Sequence, residues 1–341
     1  MTPPPHTQEF EDAITVTPIS SHTYSANLSP SWIVGAVPHG GYTMAVLYRL
    51  ATTHFKHTHP TRHHGDPMPI AMQITFLRRT FVGPAILTVQ DAKLGARTST
   101  IHVALSQEEP GRKNRTDRVV GYITVSDPAA DVGLTAPSDW TLSPPPPSPR
   151  PPEQSSTEPA EMPPPSNDGT TPWVRIKERF PGFRQISVHT TLYCPPEAHQ
   201  RRNIVDQWAR FNPLGPKGGP GRWTNEAMVL LTDLYPLVIN GLDVAARTFR
   251  RREGSDDKDN TPMSWFPTVT LNVDFKRRLP PDGEAWLYSR VVLKDVRNGR
   301  TDIEVVLMNE RGEIVALGNQ VGLVLSATRN TSGRTKTPAK I

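Results

Sequence analysis

The amino-acid sequence contains a single cysteine and no long apolar segment. Cys194 alone cannot form an internal disulfide framework, and such scarcity is typical of proteins that fold in a reducing compartment. No apolar run approaches the ~20 residues of a membrane span, and residues 1–14 lack the basic-then-apolar pattern of a secretory signal. Residues 339–341 do not form the peroxisomal targeting tripeptide. These absences predict a cytoplasmic protein without membrane association, and they leave a peroxisomal location without its usual signal.

Concentrated positive charge is also lacking, although the chain as a whole is basic. The formal net charge is +5 and the isoelectric point is about 9.4, but no predicted helix carries a basic stripe interleaved with aromatic residues. We therefore expect no nucleic-acid partner. The densest basic run, residues 250–252, leads directly into the acidic segment 253–259. This pattern is typical of a solvated loop, and a binding site for the phosphates of an anionic substrate is the alternative.

Proline is abundant but unevenly distributed. The chain contains 37 prolines among 341 residues, and residues 142–166 are rich in proline, serine and glutamate with almost nothing to bury. We interpret this segment as a linker between a first module, residues 1–141, and a second module, residues 167–326. Residues 327–341 are polar and are predicted to form a disordered tail.

Both modules show the same order of elements. Hydrophobic periodicity predicts one helix in each, from Gly40 to about Ala51 and over about Asn225–Leu234. Strands are predicted in the first module near 14–27, 69–79, 84–94, 98–107 and 117–126. Strands are predicted in the second module near 186–194, 203–211, 266–277, 284–296, 300–309 and 313–326.

Sequence matches between the modules indicate a duplication. Phe76-Leu-Arg-Arg matches Phe275-Lys-Arg-Arg, and the segment that begins at Asp91 matches the one that begins at Asp295 when one gap is allowed. A long helix and an antiparallel meander require a sheet that buries one face on the helix, which is the hotdog arrangement. We therefore predict an α+β double hotdog, in which the two modules continue one sheet and cover its edges.

Several short segments add a family resemblance, because they occur in order along both halves. They are residues 32–42, 206–211, 230–234, 267–277 and 316–322. The first reads Trp-Ile-Val-Gly-Ala-Val-Pro-His-Gly-Gly-Tyr and leads into the apolar helix. Together they resemble the thioesterase-like superfamily and its type II acyl-CoA thioesterases, whose fold is the double hotdog. The resemblance implies that the chain hydrolyses an acyl thioester.

In that family an Asp, a Thr and a Gln bind the water that attacks the thioester, and by position they fall on Asp233, Thr268 and Gln320. A carboxylate can take the proton of the water while a hydroxyl and an amide align it with the carbonyl. No cofactor and no covalent nucleophile are expected, which agrees with the lack of a Gly-x-Ser-x-Gly elbow. The matching positions of the first module, Pro69 and one near Ile123, carry no such polar groups. We therefore expect one active site per chain.

The helix entry of the first module supplies further candidate residues. Backbone N–H groups at the helix start would meet the developing oxyanion, and Gly40 and Gly41 would let the substrate approach closely. His39 permits a rival hypothesis, in which it acts as general acid and base of a dehydratase or isomerase. A hotdog protein that binds an acyl or polyketide-like ligand without hydrolysing it is another alternative.

Each member of the trio also has a purely structural interpretation. Asp233 lies at the margin of its helix's apolar face, where a carboxylate can pair with an arginine. Thr268 alternates with Val269 and Leu271, so either its face lines a cleft, or a bulge re-aims the strand, or it is merely a good strand former. Gln320 would need a hydrogen-bond partner in a strand of small and apolar residues.

A histidine cluster and the expected partners complete the sequence-based predictions. His54, His57, His59, His63 and His64 lie in a polar loop after the first predicted helix, without a carboxylate or cysteine scaffold and at no established ligand spacing. We therefore predict no metal site.

The expected partner is acyl-CoA or another acyl thioester, with the acyl tail in an apolar tunnel between helix and sheet. Hotdog sheets could also join copies of the chain into a homo-oligomer.

Overall fold

The computed structural model describes most of the chain apart from its ends, two longer internal segments and several short ones. The described residues are 9–109, 114–128, 131–136, 138–146, 173–176, 178, 181–195, 203–215, 218–234, 238 and 264–326. Most of the predicted linker, the basic run at 250–252 and the predicted tail lie outside these ranges. The boundaries of the modules therefore stay predictions.

The chain consists mainly of β-strands, with three α-helices among the described residues. The first module contains α1 (Phe10–Ala13), β1 (Val16–Pro18), β2 (Thr23–Leu28), β3 (Ile33–Val34), β4 (Val37–Pro38), α2 (Gly40–Thr58), β5 (Met68–Phe76), β6 (Gly83–Leu94), β7 (Thr98–Glu108) and β8 (Arg115–Ser126). The second contains β9 (Val174–Arg175), β10 (Thr190–Cys194), β11 (Ile204–Phe211), α3 (Asn225–Leu231), β12 (Ser264–Trp265), β13 (Thr268–Phe275), β14 (Leu287–Arg297), β15 (Arg300–Met308), β16 (Ile314–Leu323) and β17 (Leu325–Ser326).

Thirteen of these strands form one antiparallel sheet in the order β1-β2-β6-β7-β8-β5-β13-β16-β15-β14-β11-β10-β9. Strands β5 and β13 pair at its centre. From that pair outward, the sequence β8-β7-β6-β2 in one half corresponds to β16-β15-β14-β11 in the other. The central pairing covers the edge that each module would otherwise expose. The predicted α+β double hotdog is thus confirmed.

The duplication extends to irregularities of the backbone. A register shift between Pro69 and Ala71 interrupts the β5–β8 pairing, and an equivalent shift between Thr268 and Thr270 interrupts the β13–β16 pairing. Three residues after each shift begins, Met72 pairs with Ile123 and Leu271 pairs with Gln320. The strand register therefore equates Pro69 with Thr268 and Ile123 with Gln320, as the sequence match suggested.

Strand pairing does not support the other sequence match, in which Asp91 was aligned with Asp295. Ile101 pairs with Ile123 in the first module, and Ile303 pairs with Gln320 in the second, so Ile101 and Ile303 are equivalent. Asp91 is the partner of Ile101, while Leu293 is the partner of Ile303. Asp91 therefore corresponds to Leu293 rather than to Asp295.

The two main helices contact each other and share one hydrophobic core with the sheet. Helix α2 continues beyond the predicted end near Ala51 because Phe55, which is 1% exposed, extends its buried face by one turn. At the start of α3 the Thr224 side chain accepts a hydrogen bond from the Ala227 N–H, a typical N-cap. Within the described part of the chain, no helix has both the length and the apolar character needed to cross a membrane.

A smaller core cluster involves the beginning of the predicted linker. Leu142 is buried with Trp173, Trp208 and Tyr288 of the second module. The Arg290 guanidinium donates a hydrogen bond of 2.5 Å to the carbonyl oxygen of Pro144. The first residues of the predicted linker are therefore packed against the second module.

Candidate active site

The proposed site forms where the two modules meet. Asp233 follows the end of α3, and its side chain is 4% exposed. Its Oδ2 accepts a hydrogen bond of 2.8 Å from the backbone N–H of Gly41, in the first turn of α2. The N-terminus of a helix favours an anion, because its first N–H groups have no partner within the helix and its dipole is positive there. One module therefore supplies the carboxylate and the other supplies its support.

The paired glycines at the start of α2 are required for this approach. A Cβ atom on Gly40 would lie 2.5 Å from Asp233 Oδ2. A Cβ atom on Gly41 would lie 3.0 Å from the Cα and the carbonyl oxygen of Leu230. Larger residues at either position would separate the two helices or displace the carboxylate.

Thr268 and Gln320 complete the polar group around Asp233. The Thr268 hydroxyl donates a hydrogen bond of 2.9 Å to Asp233 Oδ1 and lies 3.3 Å from Gln320 Oε1. The bulge between Thr268 and Thr270 interrupts the alternation of β13, so Thr268 need not share the face of Thr270. The sequence left three interpretations of Thr268: a strand face that lines a cleft, a bulge that re-aims the strand, or a good strand former. The structure contains the bulge. Thr268 itself lines a cavity.

The Gln320 amide is fully buried and only partly satisfied. The Thr268 hydroxyl has one proton, and Asp233 Oδ1 is its nearer acceptor. Gln320 Nε2 has no hydrogen-bond partner among the residues that the structure describes. A buried amide of this kind is costly unless another group binds to it.

His39 is the fourth polar residue at this junction. It is the N-cap of α2, and its Nε2 lies 3.5 Å from Asp233 Oδ2 in a buried setting. Its Nδ1 is buried and, in the described ranges, has no hydrogen-bond partner. His39 can therefore either pair with the carboxylate or turn a ring nitrogen toward a substrate.

Burial shifts the pKa of Asp233 and that of His39 in the directions that favour their neutral forms. Desolvation raises the pKa of Asp233, and the opposing effects of His39, the Thr268 hydroxyl and the Gly41 N–H only reduce this shift. Desolvation lowers the pKa of His39 despite the nearby carboxylate. Asp233 is consequently a stronger base than an exposed aspartate, and such perturbed groups cluster at functional sites.

A cavity of about 430 Å³ opens beside these groups. His39, Gly40, Asp233 and Thr268 form part of its wall. Most of the remaining wall is apolar, and three arginines also border it. The apolar residues include Phe76, Phe183, Ile186, Phe266 and Leu323, and the arginines are Arg78, Arg79 and Arg184. A mostly apolar cleft with a few convergent polar groups is typical of a small-molecule site.

All the residues that the sequence nominated converge here, with one change in the expected contacts. The Gly41 N–H, expected to meet an oxyanion, instead donates to Asp233. Sequence reasoning missed Gln207 on β11, whose fully buried Nε2 donates a 3.3 Å hydrogen bond to the carbonyl oxygen of Leu234. This bond holds the chain directly after Asp233. Gln207 alternates with the apolar residues Val205, Ala209 and Phe211 on the buried face of β11, and this was the signal that could have identified it.

The repeated modules, the shared sheet and the cavity beside Asp233 define a double-hotdog protein with a buried carboxylate site. Comparison with protein families assigns the class more closely. Residues 28–126 match the acyl-CoA thioesterase N-terminal domain, and residues 151–324 match the acyl-CoA thioesterase C-terminal domain. The chain belongs to this acyl-CoA thioesterase family.

Individual relatives cover nearly the whole chain. The thioesterase-like protein TwmA of Talaromyces wortmannii is 29% identical over 94% of this chain and 93% of its own length. A hot dog fold protein of unknown function from Alicyclobacillus acidocaldarius shares 15% identity over 93% of this chain and 98% of its own, with a TM-score of 0.63. Acyl-CoA thioesterase II TesB2 of Mycobacterium marinum shares 13% identity over the same shares of each chain, with a TM-score of 0.60. The two structures share the fold with this chain.

Proposed function

We propose that the protein hydrolyses an acyl thioester, most simply an acyl-CoA, with a water held by Asp233, Thr268 and Gln320. The observation that carries the proposal is the hydrogen-bonded contact of partly buried Thr268 with buried Asp233 and Gln320, at 2.9 and 3.3 Å, beside an apolar cavity. Membership of the acyl-CoA thioesterase family supports the same reaction.

The reaction needs one base and one set of donors. Asp233 takes a proton from the water as the water oxygen bonds to the thioester carbonyl carbon. Gln320 Nε2, which has no other partner among the described residues, donates to the water and fixes its direction of attack. The C–S bond then breaks, and the leaving sulfur receives the proton from Asp233. No covalent acyl-enzyme forms.

The helix start stabilises the charge that develops on the carbonyl oxygen. Gly41 already donates to Asp233, so the Gly40 N–H and the His39 side chain are the donors we assign to the oxyanion. Backbone N–H groups in the first turn of a helix lack partners within it. In a dry site, preorganised donors of this kind contribute much of the rate enhancement.

The cavity fits a substrate with an apolar tail and an anionic carrier. Aromatic and aliphatic side chains from both modules would contact the acyl chain. Arg78, Arg79 and Arg184 border the same cavity and can pair with phosphates of a carrier such as CoA. This assignment replaces the basic run at 250–252, which lies outside the described residues, as the proposed phosphate-binding group.

The direct test is to incubate the purified protein with acyl-CoAs of several chain lengths and to follow free thiol. Catalysed release that saturates with substrate supports the proposal. Saturable binding of the same acyl-CoAs without thiol release would contradict it and would favour a ligand-binding hotdog protein. Asp274→Asn on β13 is a suitable control variant, because this carboxylate is exposed and lies away from the cavity wall.

The His39–Asp233 pair favours one second candidate, the elimination or addition of water on an acyl thioester. The two side chains are 3.5 Å apart, both are buried, and both border the cavity, so they could transfer protons to and from a substrate. The absorbance of an enoyl thioester would report this reaction. Turnover that is lost in His39→Ala and retained in Thr268→Val would assign the chain to this chemistry rather than to hydrolysis.

A further inference from the structure

Four side chains converge at the end of α2 that is remote from the proposed active site. His54 lies near the end of α2, His59 is its C-cap, His22 precedes β2, and Asp91 lies on β6. A helix rises about 1.5 Å per residue, so His54 is about 21 Å along the axis from Gly40. Nothing in the proposed hydrolysis uses this cluster.

The three histidines direct the same ring nitrogen at one carboxylate. Nε2 of His22 and Nε2 of His59 lie 3.1 and 2.9 Å from Asp91 Oδ2. Nε2 of His54 lies 3.0 Å from Asp91 Oδ1. One potential ligand atom from each residue lies within 4.8 Å of the other three. This convergence comes from separate parts of the chain.

The hydrogen bonds around His54 allow an arrangement of protons that a cation would complete. In this arrangement the Tyr24 hydroxyl donates to the Ser21 carbonyl oxygen, 2.8 Å away. His54 Nδ1, 2.9 Å from the same hydroxyl, then donates to it. In the neutral ring, Nε2 then turns a lone pair toward Asp91 Oδ1. Two acceptors facing each other repel unless a cation lies between them.

A metal ion would hold these four groups together without protonating the buried ring of His54. The His54 side chain is fully buried, so protonating it would charge a ring that has no contact with solvent. A tetrahedral zinc site with bonds of about 2.0–2.1 Å separates its ligand atoms by about 3.3–3.4 Å. The observed contacts with Asp91 are already close to that separation, and a modest rearrangement would let all four groups face one ion.

The surroundings of the cluster also resemble those of a built metal site. His54 Nδ1 is held by Tyr24, and His22 Nδ1 lies 2.9 Å from the Ser21 hydroxyl. Such outer contacts fix the ring orientation and the nitrogen that binds the metal. The equivalent of Asp91 in the second module is Leu293, which cannot be a ligand. The second module therefore has no equivalent of this carboxylate.

We propose that His22, His54, His59 and Asp91 bind one divalent transition-metal ion of the zinc class. Four protein ligands leave no open position, so the site is structural rather than catalytic. The ion would join the C-terminal end of α2 to β6 and to the turn before β2. It would stabilise the first module without taking part in thioester hydrolysis.

Titration of metal-stripped, full-length protein with Zn²⁺ in a calorimeter tests the site. We expect one strong binding event, and at least ~10-fold weaker binding in both His22→Gln and His59→Gln. These ligands are partly exposed, with 42% and 18% of their side chains accessible, so the variants should fold. His57→Gln is the matched control, because His57 lies on the same helix but is exposed.

A spectroscopic and a thermal measurement complete the test. Co²⁺ should give the visible absorption of a tetrahedral ion in the native protein and in His57→Gln, and lose it in His22→Gln. Zn²⁺ at ~100 times its Kd should favour the folded state ~100-fold and raise Tm. Either of two results would overturn the proposal: no binding by the native protein, or equal binding by the His22→Gln/His59→Gln/Asp91→Asn variant. Thiol release well below Tm should not depend on the metal.

Discussion

The two modules have the same strands and the same bulge, yet they differ in the side chains at equivalent positions. Thr268 corresponds to Pro69, and Gln320 corresponds to Ile123. In the second module Thr268 donates a hydrogen bond to the buried carboxylate of Asp233 and lies 3.3 Å from Gln320 Oε1, whereas Ile123 is part of the hydrophobic core. The two modules therefore share their backbone, while the polar groups occur in one of them.

The helices differ in the same way. Asp233 lies nine positions after the N-cap Thr224, and the residue nine positions after the N-cap His39 is Tyr48. Tyr48 is 2% exposed and packs edge-on against Phe275, with ring centroids 5.5 Å apart. The first helix therefore contributes packing and its N-terminus, and the residue after the end of the second helix contributes the carboxylate. The proposed site is made from unlike parts of two similar modules.

Among the changes that disturb the contact between the two modules, the largest loss of thiol release is expected when Gly40 at the start of α2 is enlarged, because this forces Asp233 away. In Gly40→Ala the new Cβ would occupy a point 2.5 Å from Asp233 Oδ2, so the carboxylate must move. A displacement on the order of 1 Å lowers turnover ~10²-fold, and we expect at least this loss of thiol release. Gly219→Ala is the control, since a Cβ there meets no atom within 4 Å. Equal activity in the two variants would contradict the close approach.

The next largest effect is expected from loss of the hydrogen bond between Thr268, at the bulge of β13, and Asp233. Thr268→Val keeps the shape of the side chain and removes its hydrogen bond to Asp233. A hydrogen bond to a charged group contributes about 1.5–3 kcal/mol, so kcat should fall roughly 10–100-fold with little change in KM. Thr270→Val, beyond the bulge on the same strand, should retain activity. Similar losses in both variants would indicate a general effect on β13 instead.

A third variant tests whether the first module tolerates a polar residue at the position equivalent to Gln320. Ile123→Gln places an amide where the second module has Gln320, but in a core of apolar side chains. An unsatisfied buried amide costs about 1–3 kcal/mol. We expect a lower free energy of unfolding in urea and unchanged thiol release. A gain of activity would show that the first module already contains the rest of a second site.

The smallest effect concerns stability and its dependence on pH. Burial raises the pKa of Asp233, so the protonated form favours folding and the ionised form opposes it. This contribution to stability is present below the unfolded-state pKa of about 3.9 and is lost as pH rises through the raised folded-state value. Asp233→Asn should therefore raise Tm at neutral pH and leave it nearly unchanged in acid. A lower Tm at neutral pH would contradict the assigned direction.

Much of the fold was predictable because its signals are local and repeated. Alternating apolar residues located the long strands, and the Phe-x-Arg-Arg match identified the two central strands, which end at Phe76 and Phe275. The trio was carried over by position from a family resemblance. Its contacts were not predictable, because the bulge at Thr268 depends on pairing with β16. Periodicity alone left three interpretations of that residue.

Contacts between distant residues explain what the sequence could not provide. The helix start at Gly41 and the carboxylate of Asp233 are separated by 192 positions, so their direct hydrogen bond changed the role expected for the Gly41 N–H. The histidines of α2 matched no ligand spacing because the other members of their cluster, His22 and Asp91, are separated by 69 positions. The prediction of no metal site rested on that spacing and on the lack of a carboxylate or cysteine scaffold around the histidines in the sequence.

The central claim is that the carboxylate of the second module activates the water. Its most direct test is the pH profile of thiol release by the native protein and by Asp233→Asn, in which the amide can still accept from Gly41 and donate to Thr268. A base must be ionised, so native activity should fall as pH decreases through the raised pKa of Asp233. The variant should be ~10²–10⁴-fold slower and should lack that limb of the profile. Full turnover by Asp233→Asn, with the native pH dependence, would contradict the claim.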